Sequence, residues 1–288
     1  AKAMFANRRA KNDFKDRIAV FSPEEYKHEV AFHHTLTEFQ YALSNDRITY
    51  YLQPQVDMET GKVIGAEALT RWIDKDGSLI PPGSFIPALE ESGFVVTLDK
   101  YIWQGVASWL RKRLDQGLPV VPVSLNVSRV DILACDVAEH MGALAAQYSL
   151  PSELMRIEIT ETAYTGESEA VDRLTAELHN RGFSTYMDDF GTGQSTLAML
   201  KNVNVDVIKL DRTFVPAGKA DERSTQIVSS MLGMAQSLHL PVVVEGIETE
   251  AQAQLLRQMG ARYAQGFLYY RPMPAADFEE LLDSKVAD

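Results

Sequence analysis

From Ile48 to the end of the chain, short apolar runs alternate with longer segments whose apolar residues recur about every 3.6 positions. Short apolar runs predict strands, and the longer periodic segments predict helices. Eight runs predict strands: ITYYLQPQ, VIGAEALT, VPVSLN, MRIEIT, STYMDD, DVIKLD, PVVVEG and YAQGF. The main predicted helices are LDKYIWQGVASWLRKRLDQG, AVDRLTAELHNRG, STQIVSSMLGMAQSLH and TEAQAQLLRQMG.

Strands that alternate with helices favour a mainly parallel sheet, and eight of them favour closure into a barrel. The 288 residues suit a single α/β barrel, which commonly takes about 250. The first two strands, taken with their flanking residues as ITYYLQPQVD and KVIGAEALT, are separated only by METG, which is too short for a parallel crossover. We therefore expect an α/β fold, a modified TIM (β/α)8 barrel with an antiparallel first strand.

The beginning of the chain has a different composition. Residues 1–32 are rich in Lys, Arg, His and Glu, and we interpret them as a connector into a main domain over 33–288. Within HHTLTEFQYAL, the spacing of Leu36, Phe39 and Leu43 predicts an amphipathic helix.

The formal net charge of -12 argues against binding to DNA or RNA polymers and to anionic membranes, which need clustered Lys and Arg. Cys135 is the only cysteine, so the chain can form neither an internal disulfide nor a cysteine-rich zinc site. A reducing compartment is the natural inference, and no run of 18 apolar residues is present. We expect a cytoplasmic domain without a membrane segment, although the parent protein could be membrane-anchored.

Nearly every predicted strand closes on a polar or charged residue. Because barrel active sites lie at the carboxyl ends of the strands, these residues are expected to converge on one rim. The residues are Glu67, Asn126, Glu158, Asp188, Asp189, Lys209, Asp211, Glu245 and Gln265.

Each of these residues also has an ordinary structural explanation. Asp188 and Asp189 can begin a turn and cap a helix that begins at Ser195, and Glu67 can form an ion pair with Arg71, four residues further along the chain. Together, these explanations require at least five strands to end in polar groups for unrelated reasons. We therefore favour one shared site.

The oxygen-bearing set Glu67, Asn126, Glu158 and Asp188 favours Mg²⁺ or Mn²⁺ over zinc. Two adjacent acids and further carboxylates allow two such ions, with Lys209 helping to offset the negative charge. Calcium has the same preference for oxygen ligands but a looser geometry, so we expect Ca²⁺ to bind and inhibit.

Two other catalytic chemistries fit the sequence less well. The DFG tripeptide is typical of the magnesium loop of protein kinases, but the chain has no Gly-rich phosphate loop. Glycoside hydrolysis by Glu158 and Glu245 stays open as an alternative, although Lys209, Asn126 and the doubled aspartate fit a metal-bound phosphate better.

Over about residues 36 to 275 the chain resembles the EAL-domain cyclic-di-GMP phosphodiesterases. The resemblance rests on QPQVD, EALTRW, PGSFIPALEESG, SLNVS, EITET, MDDFGTGQSTL, IKLDRTFV, VVEGIET and QGFLYYRPMP, in the family's order. It implies a metal-dependent homodimeric enzyme that opens cyclic-di-GMP to linear 5′-pGpG with a metal-activated water. A catalytically weak cyclic-di-GMP sensor is the alternative.

The resemblance also implies residue roles. The implied first-metal ligands are Glu67, Asn126, Glu158 and Asp188, and the implied second-metal ligands are Asp188, Asp189 and Asp211. The implied catalytic residues are Glu245 as general base, Lys209 and Glu67. The implied substrate contacts are Gln53, Leu69, Arg71, Asn126, Asp189 and Gln265. Glu161 is expected to steady the loop after Asp189, and Glu248 to support the site.

Departures from the family pattern are few. Gln194 and Thr196 stand where Tyr and Ser are usual, and QPQ replaces the common QPI. The opening AKAMFANRR resembles the end of a GGDEF diguanylate cyclase domain. We therefore expect an upstream GGDEF or sensory domain in the parent protein.

Overall fold

The computed structural model of the protein describes residues 22–166, 168–192, 204–216 and 222–286. These residues fall into two compact units, one formed by 22–49 and 71–94, and the other by the rest of the described chain. Within the described residues, no helix combines the length and the apolar character needed to cross a bilayer.

The smaller unit is built around helix α1, Pro23–Ser44, whose first turn is capped by the Ser22 side chain. Phe39 of α1 packs edge-on against Trp72, and Trp72 packs in the same way against Phe85, with ring centroids 6.0 and 5.1 Å apart. The helix predicted over HHTLTEFQYAL belongs to α1. The predicted boundary at residue 32 therefore falls inside this helix, and residues 1–21 of the predicted connector lie outside the described chain.

The smaller unit also contains a short strand and a short helix. Trp72 and Ile73 pair antiparallel with β3, Leu79–Ile80, and the 3₁₀ turn Pro82–Ser84 leads into helix α2, Ile86–Ser92. Gly93 ends α2 with φ of +78°, the left-handed conformation that glycine adopts most readily at a helix end.

The larger unit contains a closed barrel of eight strands. Its strands are β1 Ile48–Asp57, β2 Val63–Ile73, β4 Val123–Val127, β5 Met155–Thr160, β6 Ser184–Phe190, β7 Val207–Leu210, β8 Val242–Val244 and β9 Tyr263–Ala264, the first two of which begin or end in the smaller unit. Strands β2 and β4 to β9 pair in parallel order, and the pairing of β1 with β2 closes the ring.

Strand β1 runs against its neighbours, because Val56 and Asp57 pair antiparallel with Ala264 and Tyr263 of β9. On its other side β1 pairs with the short strand β10, Met273–Pro274. The predicted modified TIM barrel with an antiparallel first strand is confirmed. All eight predicted strands are present, although β4 begins at Val123 rather than Val121, since Pro122 cannot donate a ladder hydrogen bond.

Helices follow the strands around the barrel. They are α3 Val95–Asp115, α4 Arg129–Ala134, α5 Val137–Gln147, α6 Glu161–Gly166, α7 Ser168–Asn180, α8 Glu222–Ser237, α9 Glu250–Gln258 and α10 Ala275–Val286, with 3₁₀ turns at Ser152–Leu154 and Arg212–Phe214. The predicted helices correspond to α3, α7, α8 and α9.

Successive residues of the barrel strands point to opposite faces, as the period of a strand requires. Leu125, Ile157 and Met187 are fully buried apolar residues on one face. Their neighbours Asn126, Glu158 and Asp188 are polar and lie on the other face. This alternation collects the polar groups at the carboxyl ends of the strands.

Candidate metal centre and active site

Neighbouring strands place their terminal polar residues at nearly the same height. Asn126 is the register partner of Glu158, and Asp188 is paired with Thr160, two residues further along β5. Glu67 lies on β2 and Lys209 on β7, and Glu245 directly follows β8. The predicted convergence of strand-end residues therefore occurs within the larger unit.

Lys209 lies at the centre of the cluster, with its side chain only 1% exposed. Its Nζ contacts one carboxylate oxygen from each of four acids. The distance is 2.7 Å to Glu158 and to Glu245, and 3.0 Å to Glu67 and to Asp188. An ammonium group has three protons and one positive charge. It cannot balance four ionised carboxylates by itself.

Glu67 has further donors beside Lys209. Asn126 Nδ2 donates to Glu67 Oε1 at 3.1 Å, and Gln265 Nε2 donates to Glu67 Oε2 at 2.7 Å. The second proton of Gln265 Nε2 is directed to Gln53 Oε1, 3.1 Å away. Both oxygens of the Glu67 carboxylate thus accept a hydrogen bond from a side-chain amide, one from Asn126 on β4 and one from Gln265 just after β9.

Asp188 and Asp189 reach the same site because the end of β6 is irregular. In a regular strand, adjacent side chains point to opposite faces. Here the register with β7 shifts between Met187 and Phe190, as in a β-bulge, and Asp189 has φ of +55°. A left-handed backbone is uncommon outside glycine but tolerated by aspartate, and bulges re-aim side chains in this way.

Charge crowding moves the carboxyl pKa values in opposite directions. Burial alone would raise the pKa of Glu67, but the Lys209 charge and the Gln265 and Asn126 hydrogen bonds hold it below its usual range. Burial raises the pKa of Glu158 well above its usual range, and the nearby Glu67 and Asp188 add to this effect. Glu158 has fewer donors, since its Oε1 accepts no hydrogen bond within the described residues.

Two further acids share this behaviour. Burial, assisted by the charges of Asp188 and Glu67, raises the pKa of Glu245 to about 8. Burial and the charges of Asp188 and Asp211 raise the pKa of Asp189 to about 6. Perturbed carboxyl groups that line one recess are typical of functional sites.

Two groups of three acids can each hold a metal ion. Glu67, Glu158 and Asp188 form one group, and Asp188, Asp189 and Glu245 form the other. Within each group, the candidate ligand oxygens lie within 4.8 Å of one another. Asp188 belongs to both groups, so it is placed to bridge two ions.

Asp211 lies outside both groups. Its Oδ1 accepts hydrogen bonds from Thr213 N at 2.9 Å and from Thr213 Oγ1 at 2.5 Å, which caps the 3₁₀ turn after β7. Its charge nevertheless raises the pKa of Asp189. The structure thus adds Glu245 to the possible ligands and gives Asp211 a capping contact.

The predicted supporting residues differ in their surroundings. Glu161 is fully buried, and its Oε2 accepts a hydrogen bond of 2.8 Å from the backbone N–H of Gly191, in the loop after Asp189. Glu248 is exposed and precedes α9, where its backbone N–H donates to Gln252. Of the predicted substrate contacts, Leu69 is half-buried on β2, whereas Arg71 belongs to the smaller unit.

Gln194, Ser195 and Thr196 lie outside the described residues, so the alternative in which Asp188 and Asp189 cap a helix from Ser195 falls outside them as well. One polar contact was missed in the sequence. Gln55 is fully buried, and its Nε2 donates to Gln265 Oε1 at 3.1 Å. The sequence contains a signal for Gln55, because it lies two positions from the predicted contact Gln53 on β1, and residues two apart in a strand share a face.

The loops after β8 and β9 are packed tightly against each other. A Cβ atom at Gly266 would lie 2.2 Å from the carbonyl oxygen of Ile247 and 2.4 Å from its nitrogen, so only glycine fits there. Leu268 N donates to the same Ile247 carbonyl at 2.9 Å. This contact joins the loop that carries Glu245 to the loop that carries Gln265.

Comparison with known proteins now identifies the family. The model of the EAL domain family matches residues 36–272, and the chain therefore belongs to this family, as the motifs predicted. The chain is 34% identical over 252 residues to the cyclic di-GMP phosphodiesterase RocR of Pseudomonas aeruginosa, with 87% of this chain and 64% of that protein covered. It is 33% identical over 241 residues to the signaling protein YkoW of Bacillus subtilis, with 84% and 30% covered.

Solved structures agree with this assignment. The structure described as the PaMucR phosphodiesterase in complex with c-di-GMP matches with a TM-score of 0.80 and 31% identity, covering 85% of this chain and 99% of that one. The chain spans about a third of the length of the first curated relatives that it matches. Relatives named cyclic di-GMP phosphodiesterases agree with the enzyme class predicted from the sequence.

Proposed function

We propose that this EAL domain hydrolyses cyclic-di-GMP to linear 5′-pGpG with the help of two divalent cations. The observation that carries the proposal is the single buried lysine among four carboxylates, at the rim where barrel enzymes hold their substrates. The family membership and the names of the relatives support the same activity.

The residues present fit divalent cations. With all four carboxylates ionised, Lys209 leaves the cluster with an excess of negative charge. In addition, Glu158 Oε1 is buried and accepts no hydrogen bond from the described residues, although a buried carboxylate oxygen normally has a partner. The ligand set consists of oxygen atoms, which Mg²⁺ and Mn²⁺ prefer. Either ion would supply the missing positive charge.

The ligand assignment follows the sequence prediction. Glu67, Asn126, Glu158 and Asp188 would hold one ion. Asp188, Asp189 and Asp211 would hold the other, with Glu245 as a further possible ligand to it, since its oxygen lies in the second group of acids. When bound, such ions lower the pKa of a coordinated water and neutralise negative charge on the phosphate.

The chain's own residues position the reactants and move the proton. Glu245 accepts a proton from the attacking water at its carboxylate, while Lys209 Nζ, 2.7 Å away, holds that carboxylate in place. The water oxygen forms a bond to phosphorus, and the bond from phosphorus to the ribose 3′ oxygen breaks. The product keeps the phosphate on its 5′ oxygen, as 5′-pGpG requires.

Substrate contacts are assigned to the residues around this cluster. We assign Gln53, Gln265 and Leu69 to the nucleotide, Asn126 and Asp189 to the reacting phosphate with its cations, and Arg71 to a phosphate. Gln53 and Gln265 are joined by a hydrogen bond, so they would present one continuous amide surface to a ligand.

Chromatography of cyclic-di-GMP incubated with the protein and Mg²⁺ or Mn²⁺ tests the proposal. We expect pGpG to accumulate, a chelator to stop the reaction, and Ca²⁺ to inhibit it. Intact substrate after prolonged incubation with the folded, metal-loaded protein would reject the catalytic proposal. If calorimetry then showed cyclic-di-GMP binding without turnover, the sensor alternative would replace it.

Other features implied by the family resemblance stay predictions. These are the homodimer, the upstream GGDEF or sensory domain, and the cytoplasmic location. Analytical ultracentrifugation at several protein concentrations measures the oligomeric state directly, and comparison of turnover at the same concentrations relates it to activity.

A further inference from the structure

A line of polar side chains, buried except for the half-buried Arg156, leads away from the acidic cluster into the barrel. Gln265 Nε2 donates to Glu67, and Gln265 Oε1 accepts from Gln55 Nε2 at 3.1 Å. Gln55 Oε1 accepts from Arg156 Nη1 at 3.3 Å. Three strands and one strand end thus contribute to one line of hydrogen bonds, which begins at Arg156 near the start of β5 and ends at Glu67.

The direction of every hydrogen bond in this line is fixed by its two ends. Arginine only donates, so the atom of Gln55 that faces Arg156 must be the amide oxygen. The Gln55 nitrogen is then left to donate to the oxygen of Gln265. At the other end, the Glu67 carboxylate only accepts, so it requires the nitrogen of Gln265. Both ends demand the same orientation of the two amides.

The surroundings of Arg156 are built to hold the guanidinium at this position. A Cβ atom at residue 65 would lie 2.4 Å from Arg156 Nη1, so the glycine there leaves the space that the guanidinium fills. Arg156 Nη2 donates to the carbonyl oxygen of Ile64 at 3.3 Å, and its guanidinium lies 5.3 Å from the centroid of the Tyr186 ring.

We infer that Gln55 and Arg156 are positioning residues of the acidic cluster. Arg156 orients Gln55 so that it presents a donor to Gln265 Oε1, which favours from the barrel side the same orientation of the Gln265 amide that Glu67 requires on the cluster side. The inference rests on the proposed function in that the cluster is taken as a metal site. Groups one step removed from a metal commonly change metal affinity or activity 10- to 100-fold when altered.

Two substitutions of nearly the same size separate this inference from a purely structural role. Gln55→Glu keeps an acceptor for Arg156 but cannot donate to Gln265, so the Gln265 amide is driven to turn and present its oxygen to Glu67. Gln55→Met removes both hydrogen bonds, yet Glu67 still selects the nitrogen of Gln265. A purely structural role predicts that methionine is worse, because it leaves Arg156 and Gln265 without their buried partner.

We expect Gln55→Glu to weaken Mn²⁺ binding by about tenfold or more, and Gln55→Met by less than about threefold. Calorimetric titration with Mn²⁺ measures this, with turnover of cyclic-di-GMP as a second readout and thermal unfolding as the check that both variants fold. An equal or larger loss in Gln55→Met overturns the inference. If the wild-type protein binds Mn²⁺ but shows no turnover, the proposed function fails. The order of Mn²⁺ affinities among wild type, Gln55→Met and Gln55→Glu still tests the inference.

A measurement on the amide itself does not depend on metal binding or on the stability of one variant. The side-chain amide resonances of Gln265, assigned from their loss in Gln265→Glu, should show slow hydrogen exchange in the wild-type protein and in Gln55→Met. Gln55→Glu should shift them strongly. Rapid exchange in the wild-type protein, or unchanged shifts in a folded Gln55→Glu, would overturn the inference.

Discussion

Lys209 and Arg113 are both buried cations of the larger unit, each with a side chain about 1% exposed, but their surroundings differ. Arg113 on α3 donates to Asp283 Oδ1 at 2.5 Å and to the carbonyl oxygen of Pro119 at 2.9 Å, and its guanidinium lies 5.9 Å from the centroid of the Trp109 ring. Lys209 faces four carboxylates at 2.7 to 3.0 Å.

The difference lies in how well charge is balanced. The two acids near Arg113, Asp283 and the more distant Glu279 at 4.0 Å, are 45% and 34% exposed, so water shares in stabilising them, and the contacts fasten α10 to α3. The acids around Lys209 are between 0 and 18% exposed and outnumber the lysine. A balanced buried cation is typical of structure, whereas a surplus of buried negative charge indicates a site that binds further cations.

Lys209→Met should show the largest effect. It removes the charge that all four carboxylates contact, so turnover should fall on the order of 100- to 1,000-fold. The free energy of unfolding of the metal-free protein should fall by about 3–5 kcal/mol, the usual loss when one partner of a buried pair is removed. Kinetics and chemical denaturation measure the two effects, and turnover within tenfold of wild type would contradict the proposed role.

Glu158→Gln sharpens the comparison by removing one negative charge at constant shape. Because burial and neighbouring acids already raise the pKa of Glu158, the metal-free variant should be as stable as wild type or more so. Mn²⁺ binding should weaken by more than about tenfold, since the glutamate is a proposed ligand. Chemical denaturation without metal should therefore show an equal or higher free energy of unfolding, while titration should show a lower Mn²⁺ affinity. A fall in both quantities would argue against surplus negative charge.

Arg113→Met is the matched control for Lys209→Met. It should lower the free energy of unfolding by about 2 kcal/mol, less than a fully buried pair because Asp283 can be hydrated. Turnover and Mn²⁺ affinity at a temperature where the variant is folded should stay within about twofold of wild type. A large loss of turnover in folded Arg113→Met would show that the two cations are not functionally distinct.

Asp57→Asn should have the smallest effect. Burial alone would raise the pKa of Asp57, but hydrogen bonds from Arg262 Nε and from the backbone N–H groups of Glu59 and Thr60 lower it. A lowered pKa means stability that is present above the pKa of the unfolded state and lost as pH falls. The variant should be about 1 kcal/mol less stable at pH 7, with the difference shrinking below pH 4. Denaturation midpoints at both pH values check this, and a constant difference would contradict it.

Much of the barrel and the site was readable from the sequence because both depend on local patterns. The strands that carry Glu158 and Lys209 are short apolar runs with a polar residue near the end, and barrel topology brings those ends together. Glu67 differs, because β2 continues beyond it to Ile73. The METG connection was short enough to predict the reversed first strand.

Other features depend on register and distance in space, which a single sequence does not display. The bulge that turns both Asp188 and Asp189 to one site arises from the pairing of β6 with β7. The contact of Arg113 with Asp283 joins residues 170 positions apart. By contrast, the capping box formed by Ser128 and Asp131 at the start of α4 is local in sequence, although apolar periodicity does not reveal it.

The close approach of Gly266 to Ile247 means that the last two strand loops of the barrel behave as a single stiff edge. A shift in either loop is therefore expected to displace both Glu245, the proposed general base, and the Gln265 amide that donates to Glu67. Any side chain introduced at residue 266 would therefore push the two loops apart and displace both Glu245 and the Gln265 amide.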